Sequence, residues 1–290
     1  MRCLQCRGMR ILFIALCLML PCARLQAQAT VTSNVPYVTR PTGAVFLDAS
    51  IPSGPGPHAA VILIHGGGFA RGNKVTYLDP MFQPLTQAGF AWFTIDYRMG
   101  PNVRIEDMIA DTQAALDWVY AHAAEYHVDR NRIALLGESA GGYLADYVAL
   151  KNTGPAKVAA LVSFYSPADL TFHKPTGDPR PGTPPAPSTT DTFGLQGLTP
   201  EAAKQRQHDL SPYYMVRAGL PPTLALGGTA DEQVAYEQNP RFCDALKQAG
   251  NQCELFTVQG GRHGMGQWEE HADQVQYKAK VVSWLRQTLR

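Results

Sequence analysis

Residues 59–64 (AAVILI) are six consecutive apolar residues that run straight into His65-Gly66-Gly67-Gly68. A strand of that composition has no polar face to offer water, so both of its faces must be covered. Residues 90–95 (FAWFTI) form a second such run, and residues 132–136, 158–164, 223–226 and 253–258 read as further strands. Helical segments separate them. Residues 104–126 place Ile105, Met108, Ile109, Ala115, Leu116, Val119 and Tyr120 at helical spacing. Residues 140–150, 235–249 and 275–289 also read as helices, the second stopped by Gly250-Asn251. Buried strands alternating with helices predict an α/β fold, with a mostly parallel central sheet and helices on both faces. Residues 35–39 and 44–50 flank the turn at 40–43 and are expected to pair as an antiparallel N-terminal edge.

The first 29 residues do not fit that rhythm. Arg2, Arg7 and Arg10 precede the apolar run 11–20, Pro21 breaks it, and Ala27-Gln28-Ala29 supplies small residues for a peptidase. A basic start, a short apolar run and an A-x-A site predict a secretory signal peptide over residues 1–29, cleaved after Ala29. The run is too short to span a bilayer, so no stable membrane anchor is expected. Lipidation at Cys22 fits poorly, because Leu18-Met19-Leu20-Pro21 precede it where small residues belong. The expected product is one domain, residues 30–290, secreted or periplasmic. The whole chain of 290 residues carries a net charge of +1. Its N-terminal 29 residues hold four arginines and no acid, so the remainder has 21 basic against 24 acidic groups. Neither balance suits a nucleic-acid partner. Four of the six cysteines lie in the signal, leaving Cys243 and Cys253 as a candidate disulfide in an exported protein. Residues 171–198 hold six prolines and no apolar periodicity. They read as an insertion between core strands, either a lid over a site or a surface loop.

Three glycine-rich motifs carry the chemistry. Gly137-Glu138-Ser139-Ala140-Gly141 lies between a strand and a helix, which places Ser139 on a sharp turn with its hydroxyl exposed. An N-cap serine is the plainer alternative for that position. His65-Gly66-Gly67-Gly68 presents bare backbone donors after a buried strand, and no phosphate-loop signature follows it. Gly67, Gly68 and the N–H of Ala140 are the candidate oxyanion donors. His65, at a strand end, is expected to be structural. A nucleophilic serine needs a base and a group to hold that base. His263, in the glycine-rich segment 260–266, is the candidate base, and Asp231, just past the strand at 223–226, is its candidate partner. Glu232 and Asp169 are the reserve acids. Among nearby aromatic residues Phe69, Tyr77, Tyr143, Tyr165 and Trp268 are pocket candidates, and Phe69, Tyr143 and Trp268 are the chosen substrate-binding residues. No cluster of His, Cys and Asp has metal-ligand spacing, so no metal or organic cofactor is expected.

With these motifs the sequence resembles the α/β-hydrolase family, and within it the esterase and lipase branch with an H-G-G-G oxyanion loop. The chain order Ser139, Asp231, His263 is similar to that of the family, and the likeness extends over residues 35–288. Asp96-Tyr97-Arg98 resembles a structural motif of that branch, which implies supporting roles for Asp96 and Arg98. The strings HGGGFARGNK and GESAGG look most like those of secreted acetyl-xylan and feruloyl esterases, while Gly227 stands where that subgroup often has histidine. The resemblance implies ester hydrolysis by a Ser-His-Asp triad on short-chain or aromatic acyl groups of carbohydrates, with an acylated plant polysaccharide or oligosaccharide as the partner. General lipase or short-chain esterase activity, and amide hydrolysis on the same triad, are the alternative activities. A binding module without catalysis is disfavoured because all three triad positions are filled.

Overall fold

The computed structural model of the protein describes residues 29–100, 102–172 and 189–290. The proposed signal peptide, apart from Ala29, lies outside these residues, as does most of the proline-rich insertion (173–188) with the lid expected there. Eight strands, β1 (Ala29–Arg40), β2 (Gly43–Pro52), β3 (His58–Ile64), β4 (Ala91–Ile95), β5 (Val128–Glu138), β6 (Ala160–Phe164), β7 (Thr223–Gly228) and β8 (Cys253–Val258), form one sheet. Their spatial order is β1-β2-β4-β3-β5-β6-β7-β8. β2 pairs antiparallel with both β1 and β4, and every other pairing is parallel. The helices are α1 (Asp79–Gln87), α2 (Ile105–Ala121), α3 (Ala140–Lys151), α4 (Thr189–Thr192), α5 (Pro200–Leu210), α6 (Gln238–Gln248), α7 (Met265–Trp268) and α8 (Gln276–Thr288).

The unbroken apolar run in β3 has the consequence its composition requires. Ala60, Ile62 and Ile64 face one hydrophobic core, which contains Met108 and Leu116 of α2 and Leu144 and Val148 of α3. Val61 and Leu63 face the other core, with Met81 of α1 and Val281 and Leu285 of α8. All five β3 side chains are fully buried. Burying each large aliphatic side chain contributes roughly 1.5–3 kcal/mol, so the sheet is held from both sides.

The structure differs from the sequence reading at several boundaries. The edge strand begins at Ala29, not Val35. β5 begins at Val128, because His58 of β3 pairs with Val128 across an irregular register. α2 stops at Ala121, and the chain then makes turns that place Tyr126 against Trp118. α1 and α5 were not anticipated; α1 carries prolines at 80 and 84, and α5 buries only Leu210. Cys243 of α6 is bonded to Cys253 of β8, with their Cα atoms 5.4 Å apart.

α3 carries an unusual buried charge. Asp146 is fully buried, and neither carboxylate oxygen has a hydrogen-bond partner of good geometry. Burial pushes its carboxyl up to about 7, opposed by the nearby hydroxyls of Ser166 and Ser163. An acid that ionises near 4 when unfolded and near 7 when folded makes stability fall as pH rises through that window. Urea denaturation of wild type and Asp146→Asn from pH 4 to 8 tests this. The variant is expected to gain stability relative to wild type between about pH 4 and 7, and the gain should level off above pH 7.

Candidate active site

The site is assembled where β5 runs into α3. Ser139 sits at the junction with φ 54° and ψ −119°, a left-handed φ that a residue with a side chain rarely adopts. Its N–H donates to the Phe164 carbonyl at 2.9 Å, and the Tyr143 N–H donates to the Ser139 carbonyl at 3.0 Å. Two glycines make the turn sterically feasible. A Cβ on Gly137 would collide with the Gly141 carbonyl, and one on Gly141 would collide with the carbonyls of Ile64 and His65. The nucleophile candidate is therefore pressed against the end of β3, where the glycine loop starts.

His263 and Asp231 arrive from the loops after β8 and β7. His263 Nε2 lies 2.9 Å from Ser139 Oγ, and His263 Nδ1 lies 2.7 Å from Asp231 Oδ2. The Asp231 side chain is almost wholly buried, and its other oxygen accepts the N–H groups of Gln233 at 2.8 Å and Val234 at 2.9 Å. With the Asp231 carboxylate accepting at Nδ1, that nitrogen carries the proton and Nε2 is left to accept from the serine. Of the reserve acids, Glu232 pairs with Arg262 at 3.1 Å and accepts the His263 backbone N–H at 3.5 Å, and Asp169 pairs with Arg241 at 2.9 Å.

The glycine loop lies alongside. Gly67 has φ 104° and Gly68 has φ 63°, and both line a cleft of about 430 Å³ together with Ser139 and His263. Neither N–H donates to a protein acceptor among the described residues. Ala140 is the first residue of α3, where the helix leaves its N–H without an internal acceptor. Gly66, the residue before Gly67, donates its N–H to Glu138 Oε1 at 2.5 Å. Glu138 is buried, which raises its carboxyl pKa, while the charge of His263 and the hydrogen bonds from Gly66 and Tyr165 pull it back. The Tyr165 hydroxyl also accepts the Met265 N–H at 3.0 Å, and the Tyr165 ring sits edge-on to His263 at 4.8 Å. Glu138 therefore ties the serine turn to the glycine loop, and Tyr165, beside Glu138, holds the histidine loop through the Met265 N–H. Neither the role of Glu138 nor that of Tyr165 in this chain was read from the sequence; both residues are adjacent in space only because β5 and β6 pair in register.

His65 is fully buried and stacked on Tyr97 at 4.4 Å, and its Nδ1 lies 2.8 Å from the Gly66 carbonyl. Burial lowers its pKa to about 4. Tyr97 donates to the His65 carbonyl at 2.9 Å, and Asp96 accepts the Lys74 N–H at 2.8 Å. Arg98 pairs with Asp111 at 2.8 Å and Asp107 at 2.9 Å. These residues frame the glycine loop from behind.

Contrary to expectation, the three aromatics assigned to substrate binding are buried and lie outside the cleft lining. Phe69 is buried against Tyr143 and Phe193. Tyr143 is fully buried and donates its hydroxyl to the Leu210 carbonyl at 2.8 Å. Trp268 is fully buried and donates Nε1 to the Arg262 carbonyl at 2.7 Å. None of the three lines the cleft. Arg71, Tyr77, Gln233 and Gln267 do, and of these only Tyr77 was among the sequence candidates.

A mostly parallel eight-stranded sheet with a serine on the turn from β5 to α3 defines an α/β-hydrolase fold, and comparison with known proteins agrees. The family described as BD-FAE matches residues 47–246, and the chain belongs to it. Over 204 residues, 67% of this chain, it is 32% identical to a probable carboxylic ester hydrolase, LipM, of Mycobacterium tuberculosis, and covers 46% of that relative. A solved thermophilic esterase of the Planctomycetes species Thermogutta terrifontis superposes with a TM-score of 0.69 at 26% identity, over 89% of this chain and 91% of that one. A truncated carbohydrate esterase from gut microbiota superposes with a TM-score of 0.71 at 22% identity, over 92% of this chain and 98% of that one, a likeness of fold. The chain spans about half or less of the length of the first curated relatives it matches.

Replacing Tyr165 by Phe tests the bridge between the loops. The buried Met265 N–H then loses its acceptor, at an expected cost of about 1–3 kcal/mol. Chemical denaturation at neutral pH should show that loss; a variant as stable as wild type would mean the bridge carries no load.

Proposed function

We propose that this chain hydrolyses carboxylic esters, with Ser139 as nucleophile, His263 as general base and acid, and Asp231 as the group that holds His263. The observation that carries this reading is the pair of hydrogen bonds by which His263 links Ser139 Oγ to Asp231, beside two glycines with unengaged N–H groups. His263 Nε2 takes the hydroxyl proton as Ser139 Oγ bonds to the ester carbonyl carbon. The carbonyl oxygen becomes an anion, stabilised by the N–H groups of Gly67, Gly68 and Ala140. The ester C–O bond then breaks, and His263 returns its proton to the leaving alcohol. Water enters, gives a proton to His263 and attacks the acyl-enzyme, and Ser139 recovers its proton as the acid leaves. Asp231 stays ionised throughout and stabilises the imidazolium.

The names of relatives and neighbours, a probable carboxylic ester hydrolase and a thermophilic esterase, support this reaction class. The finer reading is a secreted esterase acting on short-chain or aromatic acyl groups of carbohydrates. The basic, apolar and A-x-A pattern of residues 1–29 supports export. Gln233 and Gln267 along the cleft offer hydrogen-bond partners that suit the hydroxyls of a sugar ester.

Ser139→Ala is expected to lower 4-nitrophenyl acetate turnover by about 10⁴-fold or more while circular dichroism and melting stay those of wild type. Undiminished turnover would remove Ser139 from the mechanism. For substrate class, acetylated xylan, methyl ferulate and 4-nitrophenyl esters of rising chain length are to be compared. Activity that climbs with acyl length would contradict the carbohydrate reading. N-terminal sequencing of exported protein should begin at residue 30.

A further inference from the structure

We propose that the cleft selects esters that also carry a carboxylate, and that Arg71 is the residue that recognises it. The inference rests on the ester-hydrolase reading above and deepens it by naming a substrate class.

Arg71 is exposed, lines the cleft, and lies three residues after the second candidate oxyanion glycine. Its stem packs over Gly67: a Cβ built on that glycine would stand 3.2 Å from Arg71 Cγ. The cations around it are neutralised. Lys74 lies 3.3 Å from Asp96 and 3.8 Å from Asp48, and Arg262 pairs with Glu232. Arg71 makes no ion pair or side-chain hydrogen bond among the described residues. The nearby carboxylates are committed as well. Asp231 faces His263, and Glu138 is buried with its oxygen on the Gly66 N–H. Arg71 thus brings to the cleft that Ser139 lines a guanidinium with five donors and no acceptor among the described residues. Its fork geometry matches a carboxylate, and the bond between them is charge-assisted.

A second feature of the same loop points to a saccharide that bears the acid. Tyr77 lines the cleft with 42% of its surface exposed and a φ of 68°. Among the described residues its ring stacks on no other aromatic, which leaves it able to cover an apolar sugar face, as amphipathic aromatics do at binding surfaces. The loop that carries both residues is pinned midway. The Lys74 N–H bonds Asp96, the Lys74 carbonyl accepts the Thr94 hydroxyl, and Asn73 Oδ1 accepts the Val75 N–H at 3.0 Å. Anchoring of this kind lowers the ordering cost of using Arg71 and Tyr77 together. A uronic acid, a sugar ring with a carboxylate, offers both chemistries at once.

The carboxylate can belong to the alcohol or to the acyl half, and paired substrates separate the two. On the alcohol side, O-acetyl glucuronic acid is compared with O-acetyl glucuronamide. On the acyl side, 4-nitrophenyl hydrogen adipate is compared with its terminal amide. The readout is the ratio of kcat/KM for the charged over the neutral partner, measured on one preparation each of wild type, Arg71→Lys and Arg71→Gln. In at least one arm the wild-type ratio is expected to exceed that of Arg71→Gln by about five- to tenfold, with Arg71→Lys between them. That arm names the half that carries the acid, and its ratio should shrink in wild type as salt rises towards about 1 M. Ratios that agree within about twofold between wild type and Arg71→Gln in both arms would overturn the proposal, because an exposed ion pair would then contribute nothing. Failure of the parent reading looks different: wild type would turn over neither member of either pair, and both readings would fall.

Discussion

The site depends on the close crossing between the end of β3 and the turn that carries Ser139. A left-handed φ at a residue with a side chain costs on the order of 1–3 kcal/mol and persists only where its surroundings over-determine it. Here the surroundings are backbone. Gly141 lies so close to the carbonyls of Ile64 and His65 that no side chain fits, and Gly137 is closed off by Gly141 itself. The Ser139 N–H is held by the Phe164 carbonyl from the other side. The buried segments 59–64 of β3 and 133–138 of β5, with β6, keep these contacts in register, Ile64 opposite Gly137 and Glu138 opposite Phe164. The strain is thus met by the sheet, whose hydrophobic burial far exceeds it.

The same crossing organises the electrostatics. Because Glu138 follows Gly137, its carboxyl reaches Gly66 and fixes the start of the glycine loop, leaving the next two N–H groups unengaged. Through Tyr165 it is linked to Met265, two residues past His263. Three loops from different parts of the chain thus meet around Glu138 and Tyr165. In the proposed mechanism these donors are aimed before charge appears, so they need not reorganise when an oxyanion forms.

Much of this was legible in the sequence, for identifiable reasons. The strand order of burial followed from apolar runs such as 59–64, whose covering does not depend on which helix does the covering. Ser139, His263 and Asp231 were legible because glycine-rich turns are local and carry a composition of their own. The pocket wall was not. Phe69, Tyr143 and Trp268 neighbour the motifs in sequence, yet side-chain direction and the packing of Phe193 and Leu210 decide that they are buried. Arg71 reaches the cleft because of a loop conformation set by Asn73, Lys74 and Thr94, which no periodicity announces; Tyr77, a sequence candidate, reaches it on the same loop. α5 was missed for a related reason: with a single buried residue it carries no apolar stripe, and its start rests on Thr199 capping the Ala202 N–H.

The central claim is that Ser139 is activated by His263 within this strained turn. The most direct measurement is covalent labelling by a fluorophosphonate, followed by mass spectrometry of the modified peptide. The account predicts one label per chain, on Ser139, formed at least about 10²-fold more slowly in His263→Ala. Labelling of a different serine, or an equal rate in His263→Ala, would contradict it.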